Sequence, residues 1–248
     1  MTMPERNVRL SVNVNKIATL RNARGGLVPS VVQLARIAID AGADGITVHP
    51  RPDERHIRRA DVFELVDAIA GQVEFNIEGY PSADFIDLVL AARPDQCTLV
   101  PDPPGVLTSN AGWRLEHPHP DLIAAIPRLQ QAGIRISAFL DPDLTEVPRA
   151  AALGVDRIEL YTEAFARAWG TPEGPHTLAT YQRAAALAHA LGLGLNAGHD
   201  LSLDNLRAFA EAIPTLDEVS IGHALISDAL LVGLDASVRL YISQLTPS

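Results

Sequence analysis

The stretch Gly42-Ala43-Asp44-Gly45-Ile46-Thr47-Val48-His49-Pro50-Arg51-Pro52-Asp53-Glu54-Arg55-His56 decides the fold. Its glycines end whatever precedes them, and Ile46 to Val48 reads as a short buried strand. The strand stops at a turn holding two histidines and two arginines. Upstream, Pro29 and Ser30 open a helix whose Val31, Leu34, Ala35 and Ala38 fall at helical spacing. Downstream, Ala60 to Ala70 is helical, with Val62, Leu65, Val66 and Ile69 on one face. The unit is helix, strand, charged turn, helix. It gathers groups that move protons and groups that hold anions at the point where a strand ends.

The unit recurs along the chain. Strands are expected at Val8–Val14, Val73–Ile77, Gln96–Val100, Ile134–Leu140, Arg157–Tyr161, Gly194–Ala197 and Glu218–Ile221. Helices are expected over Ser82–Ala92, Asp121–Gln131, Leu144–Ala152, Leu178–Leu191, Leu203–Ala212 and Leu225–Leu245, and Pro94 bars extension of the first of these. Gly112–Pro120 reads as irregular. Ala164–Pro175, with Trp169, two glycines and two prolines, reads as a long lid or insertion. Eight strand-then-helix units without a linker predict an α/β protein with one domain over residues 1–248, a parallel sheet closed as a (β/α)8 TIM barrel. An open doubly wound sheet is the alternative, but it usually has fewer strands, and neither G-x-G-x-x-G nor a P-loop occurs.

Composition narrows the partners. Apolar residues make up 47% of the 248 and aromatics only 5%, so the core must be aliphatic. A formal net charge of −10 argues against a nucleic-acid or anionic-membrane surface, while local arginine clusters can still hold small anions. A lone Cys97 excludes an intrachain disulfide and fits a reducing compartment. No signal-peptide pattern opens the chain and no apolar run reaches the ~18 residues of a membrane span, so a soluble, cytoplasmic protein is expected.

In a barrel of this kind the reactive side chains come from the C-terminal ends of the strands and the loops after them. Those positions hold Asn13, Asn15 and Lys16, then His49, Arg51 and His56, then Glu78, Thr108 with Ser109, Asp141, Glu159, His199, and Gly222 with His223. Four of the eight histidines fall there. Each has a plainer alternative: His49 as a buried ring satisfied by backbone, Glu78 as an ion-pair partner for an arginine, Arg58 and Arg59 as a solvated helix face. Glu159 points the opposite way along its strand from Ile158 and Leu160. If it faces the barrel interior it is a buried carboxylate, costly without a partner. Gly198-His199 and Gly222-His223 leave backbone N–H groups open to an anion near the last helix, where barrels commonly hold phosphate. Residues alone thus lead to a barrel enzyme handling a phosphorylated small molecule by acid–base chemistry, with no evident metal cluster.

The run Asn13-Val14-Asn15-Lys16-Ile17-Ala18-Thr19-Leu20-Arg21-Asn22-Ala23-Arg24-Gly25 closely resembles the opening motif of the pyridoxine 5′-phosphate synthase family. So do Ala41 to His49 with Arg51, Arg55 and His56, and Asn76-Ile77-Glu78, Leu99-Val100-Pro101, Asn196-Ala197-Gly198-His199 and Ile221-Gly222-His223-Ala224. The resemblance spans nearly the whole chain in order. It implies a (β/α)8 barrel that assembles as homo-oligomers, octamers in the family's pattern. The reaction it implies condenses 3-amino-2-oxopropyl phosphate with 1-deoxy-D-xylulose 5-phosphate, closes a pyridine ring and releases inorganic phosphate and water, without a cofactor. By resemblance His49 and Glu78 are proton acceptors, His199 a proton donor, and Glu159 a stabiliser of transition-state charge. Arg51, His56 and Thr108 would hold the sugar phosphate; Asn13, Arg24, Gly222 and His223 the aminoketone phosphate.

The family pattern has Asp and His at positions 15 and 16, both contacting the sugar phosphate, where this chain has Asn15 and Lys16. It has Gly where this chain has Asp200, a carboxylate expected to repel phosphate unless it turns away. Of the 20 basic residues, 19 are arginine and only Lys16 is lysine. Arginine stays protonated, whereas a lysine amine can lose its proton. Lys16 is expected either to bind an anionic substrate group or to form a Schiff base with a ketone. Two other readings stand beside synthase activity: a paralogous barrel acting on a different amino or keto compound, and a non-catalytic small-molecule binder.

Overall fold

The computed structural model describes residues 8–102 and 111–246. In it β1 (Arg9–Asn13), β2 (Gly45–Val48), β3 (Glu74–Gly79), β4 (Gln96–Leu99), β5 (Arg135–Leu140), β6 (Arg157–Tyr161), β7 (Gly194–Gly198) and β8 (Glu218–Ile221) are all parallel and pair in chain order, with β8 closing back on β1. The helices are α1 (Asn15–Asn22), α2 (Val31–Asp40), α3 (Arg59–Ile69), α4 (Ala83–Ala92), α5 (Pro120–Gln131), α6 (Glu146–Leu153), α7 (Glu163–Ala168), α8 (Gly174–Ala190), α9 (Leu206–Ala212), α10 (His223–Val232) and α11 (Leu234–Leu245). The expected (β/α)8 barrel is therefore the fold.

Strand residues alternate between two environments. Leu10, Val12, Ile46, Val48, Ile77, Leu99, Ile136, Ile158, Leu160, Leu195, Val219 and Ile221 are buried in the main hydrophobic cluster with the helix residues Ala35, Ala38, Leu65, Val89, Leu129 and Tyr181. The intervening residues are polar and equally buried: Ser11, Thr47, Asn76, Thr98, Ser137, Glu159, Asn196 and Glu218. Several of them pair with one another. Ser11 Oγ and Thr47 Oγ1 lie 2.7 Å apart, Asn76 Nδ2 donates to Thr47 Oγ1 at 3.4 Å, and Thr98 Oγ1 donates to Asn76 Oδ1 at 3.1 Å. Apolar packing holds the helices to the wall, while hydrogen bonds organise the polar column inside it.

Three regions depart from the sequence reading. Ala164–Pro175 is not a lid: it is most of α7, a tight turn and the start of α8, which carries Pro in its first turn. Phe165 is fully buried, with its ring 5.0 Å from Phe209 and 6.1 Å from Tyr181, so the segment is pinned to the core. The Gly and Pro signals marked the junction of two helices. The closing helix is two helices, broken at Gly233, whose φ of +86° only glycine adopts without strain. The segment after β1 coils into α1 at once, with Ile17 and Ala18 buried beneath it. Among the described residues no helix is long and apolar enough to cross a membrane.

Candidate active site

The strand ends converge on one cleft of about 500 Å³ at the C-terminal mouth of the barrel. Asn13, Asn15, Lys16, His49, Arg51, His56, Glu78, Glu159, His199, Asp200, Gly222 and His223 all line it, together with Arg55, Thr19 and Ser220. Arg24 lies exposed just past the end of α1 and is not among the lining residues. Thr108 and Ser109 lie outside the described residues.

The first wall is built by α1. Asn13 Oδ1 accepts the Asn15 N–H at 3.0 Å, satisfying one of the donors left open at that helix start. This turns Asn13 Nδ2 toward Glu78 Oε2, 3.5 Å away. Asn15 Oδ1 accepts the His49 N–H at 2.9 Å, so this side chain ties α1 to the end of β2. Lys16, one position on, stands exposed at the rim, and its charge helps to hold His56 below the ordinary imidazole range. Gly222 fits because a Cβ there would approach Asn13 to 3.1 Å.

Behind this wall sits a clamp that sequence reasoning missed. Arg21 is buried and grips Asp61 with both terminal nitrogens, at 2.5 and 2.8 Å, while Nη2 also donates to the His56 carbonyl at 3.1 Å. Asn22 Nδ2 donates to the carbonyls of Glu54 and His56, at 3.1 and 2.8 Å. The Arg21-Asn22 pair of the opening motif thus shapes the loop after β2. The signal was available: a buried arginine needs a carboxylate, and Asp61 falls in the first turn of α3.

The second wall is that loop. His49 and Arg51 are both buried. His49 lies well below the ordinary imidazole range, first because burial disfavours its charged form and then because Arg51, His56 and Arg55 face it. His56 is pushed down to about 4 by burial, with Arg51 and Lys16 adding to it. Its Nδ1 accepts the Ile57 N–H at 2.9 Å, which suits a neutral ring. Arg51 Nη2 donates to Asp102 Oδ2 at 2.8 Å, a buried ion pair that also went unforeseen.

Opposite lie the carboxyls. Glu78 is held well above the usual carboxylate range by burial and by the charges of Glu159 and Asp102. Burial pushes Glu159 up to about 7, against the pull of the Thr98 hydroxyl 3.4 Å away and of His199. Glu78 Oε2 is 4.0 Å from His49 Nδ1. Burial thus disfavours the charged form of both groups, the carboxylate of Glu78 and the imidazolium of His49.

On the far side, His199 has a φ of +97°, a conformation that costs a non-glycine residue about 1–3 kcal/mol. The peptide before it is anchored by Thr162, whose N–H and Oγ1 both donate to the Gly198 carbonyl, at 3.1 and 2.7 Å. Gly198 has no room for a side chain, since a Cβ would stand 2.5 Å from Glu159 Oε1. The His199 ring meets Tyr161 edge-on at 4.9 Å, and its Nδ1 lies 2.7 Å from Asp200 Oδ2. At the last wall, Gly222 caps α10 without a side-chain hydrogen bond, which leaves backbone N–H groups for an anion. Among the described residues no group of three or more His, Cys, Asp or Glu side chains is placed to hold a metal ion.

A family model described as pyridoxal phosphate biosynthesis protein PdxJ matches residues 10–247. The chain is 57% identical to the pyridoxine 5′-phosphate synthase of Porphyromonas gingivalis, over 96% of this chain and 98% of that one. It is 54% identical to the protein of the same name from Flavobacterium johnsoniae, over 96% and 99%. Among solved structures, tryptophan synthase from M. tuberculosis superposes with a TM-score of 0.66 at 14% identity, covering 98% of this chain and 94% of that one, a likeness of fold alone. With the motif residues gathered in one cleft and the match running through all eight strands, the chain belongs to the PdxJ family of pyridoxal phosphate biosynthesis proteins.

Proposed function

We propose that the barrel mouth is a pyridoxine 5′-phosphate synthase site, joining 3-amino-2-oxopropyl phosphate to 1-deoxy-D-xylulose 5-phosphate with loss of inorganic phosphate and water. The observation that carries the reading is that His49, Glu78, Glu159 and His199, from four separate strands, line one cleft. Imine formation, dehydration and aromatisation are successive proton transfers, and these groups suit them. His49, held neutral, is the base that starts the sequence. Glu78, whose ionised form is disfavoured by burial and by Glu159 and Asp102, exchanges protons with the substrate beside His49. Glu159, poised at about 7, changes charge with little cost as the reacting centre does. His199 supplies a proton from the opposite wall.

Arg51, Arg55 and Lys16 make one rim cationic, with the neutral His56 ring beside them, suited to the sugar phosphate. The α10 start at Gly222 and His223, with Asn13, suits the aminoketone phosphate. A phosphate at Arg51 competes with Asp102 for the guanidinium. The assay is direct: purified protein with both phosphates must form pyridoxine 5′-phosphate and release phosphate. Failure of both that assay and complementation of a vitamin B6 auxotroph, with folded protein, overturns the reading. Lys16 serves as an anion ligand here. Covalent capture of a keto substrate on Lys16 after borohydride reduction would replace that role with a Schiff base.

A further inference from the structure

Asp200 stands where a carboxylate is least expected, on the wall of a cleft that takes two phosphates. Its side chain is committed elsewhere: Oδ2 lies 2.7 Å from His199 Nδ1. Between a carboxylate and an imidazole at that distance, the ring nitrogen carries the proton and donates it. The loop is tied to keep this geometry. The Asp200 carbonyl accepts from Asn205 Nδ2 at 3.4 Å, and Asn205 Oδ1, on a buried side chain, accepts the Ser202 N–H at 2.9 Å. On the other side of the ring, Thr162 anchors the Gly198 carbonyl and Tyr161 packs edge-on against His199. The strained φ of His199 is thereby fixed from both ends.

We propose that Asp200 is a positioning residue: it holds the His199 imidazole by Nδ1, so that Nε2 is the atom through which the ring exchanges protons with the substrate. A lone imidazole distributes its proton between two nitrogens and turns about its side-chain bonds. A carboxylate on Nδ1 selects one tautomer and one orientation, and it compensates the imidazolium, the form in which Nε2 holds the proton that the ring supplies. The pair then carries no net charge in that state, which answers the repulsion expected between Asp200 and a bound phosphate.

This rests on the synthase reading of the cleft for its catalytic consequence, but not for its structural one. In the native protein, ¹⁵N NMR of labelled histidine should show His199 as the Nδ1–H tautomer when neutral. In Asp200→Ala both tautomers should appear, kcat should fall on the order of 10²-fold with KM nearly unchanged, and Asp200→Glu should recover part of kcat. An unaltered His199 signal in Asp200→Ala overturns the proposal whatever the assay gives. A rise in KM without loss of kcat also overturns it, because Asp200 would then be a substrate contact. If the native enzyme makes no product while the tautomer still shifts, the synthase reading falls and the Asp200–His199 pair stands.

Discussion

At the base of the barrel Arg9 and Arg135 both reach Glu74, and Arg157 donates to Asn196 Oδ1 at 2.7 Å with Asp217 3.6 Å away. At the mouth the nearest arginine is turned to Asp102, and among the described residues Glu78 meets Asn13 at 3.5 Å and His49 at 4.0 Å. Both ends are rich in carboxylates and cations, but they pair them differently. Where an arginine lies within hydrogen-bonding reach, the carboxylate is spent on structure. Where burial offers only amides, hydroxyls and a neutral ring, the carboxyl keeps its proton to near neutrality and is available for chemistry. Glu218 marks the boundary: it sits near the base, 3.8 Å from Arg9, yet among the described residues its Oε2 has no hydrogen bond, and burial pushes it up to about 8.

The contrast can be broken at either end. Glu159→Gln at the mouth should give the largest effect, a loss in kcat on the order of 10²–10⁴-fold with little change in melting temperature. Full activity in a folded Gln variant would deny Glu159 a part in the reaction. At the base, Arg157→Met leaves the buried Asn196 Oδ1 without its donor and Asp217 without its cation, and should cost about 1–2 kcal/mol in urea unfolding. The folded fraction should turn over normally, and a selective loss of kcat would show that the two ends are coupled. The smallest effect is expected at the rim. His56 sits at about 4 in the folded chain against 6.5 for the free side chain. The unfolded chain therefore binds the proton first, and stability present above pH 6.5 is lost as pH falls toward 4. Lys16→Gln removes one of the causes, so His56 should titrate at higher pH by NMR and the acid loss should be shallower. An unmoved His56 would place Lys16 away from it in solution.

The wall strands and their order were legible because apolar runs of four to six residues alternate with helical stretches, and periodicity survives even where Ser11, Asn76 or Asn196 faces the barrel interior. The cleft was legible because strand ends are where this architecture exposes side chains. Partnerships were not. That Arg21 closes on Asp61 and Arg51 on Asp102 depends on contacts 40 and 51 residues apart, which no local pattern encodes. Which way Asp200 turns was illegible for a related reason: charge is read from residue type, while direction depends on the φ of His199 and on Asn205. The lid expected at Ala164–Pro175 failed because Gly and Pro mark a bend without saying whether the flanking Phe165 and Tyr181 find a core.

The clamp beneath α1 has a bearing on how such a site can be retuned. One side of this eight-residue helix is locked, since Arg21 and Asn22 hold the loop that carries His56. The same helix offers Lys16 and Thr19 to the cleft, both exposed. Cleft lining and loop support are thus carried by different side chains of one short element. A designer who exchanges residues 16 and 19 alone alters the anion rim while the loop bearing His49, Arg51 and His56 keeps its shape. A change at position 21 or 61 spends that freedom at once.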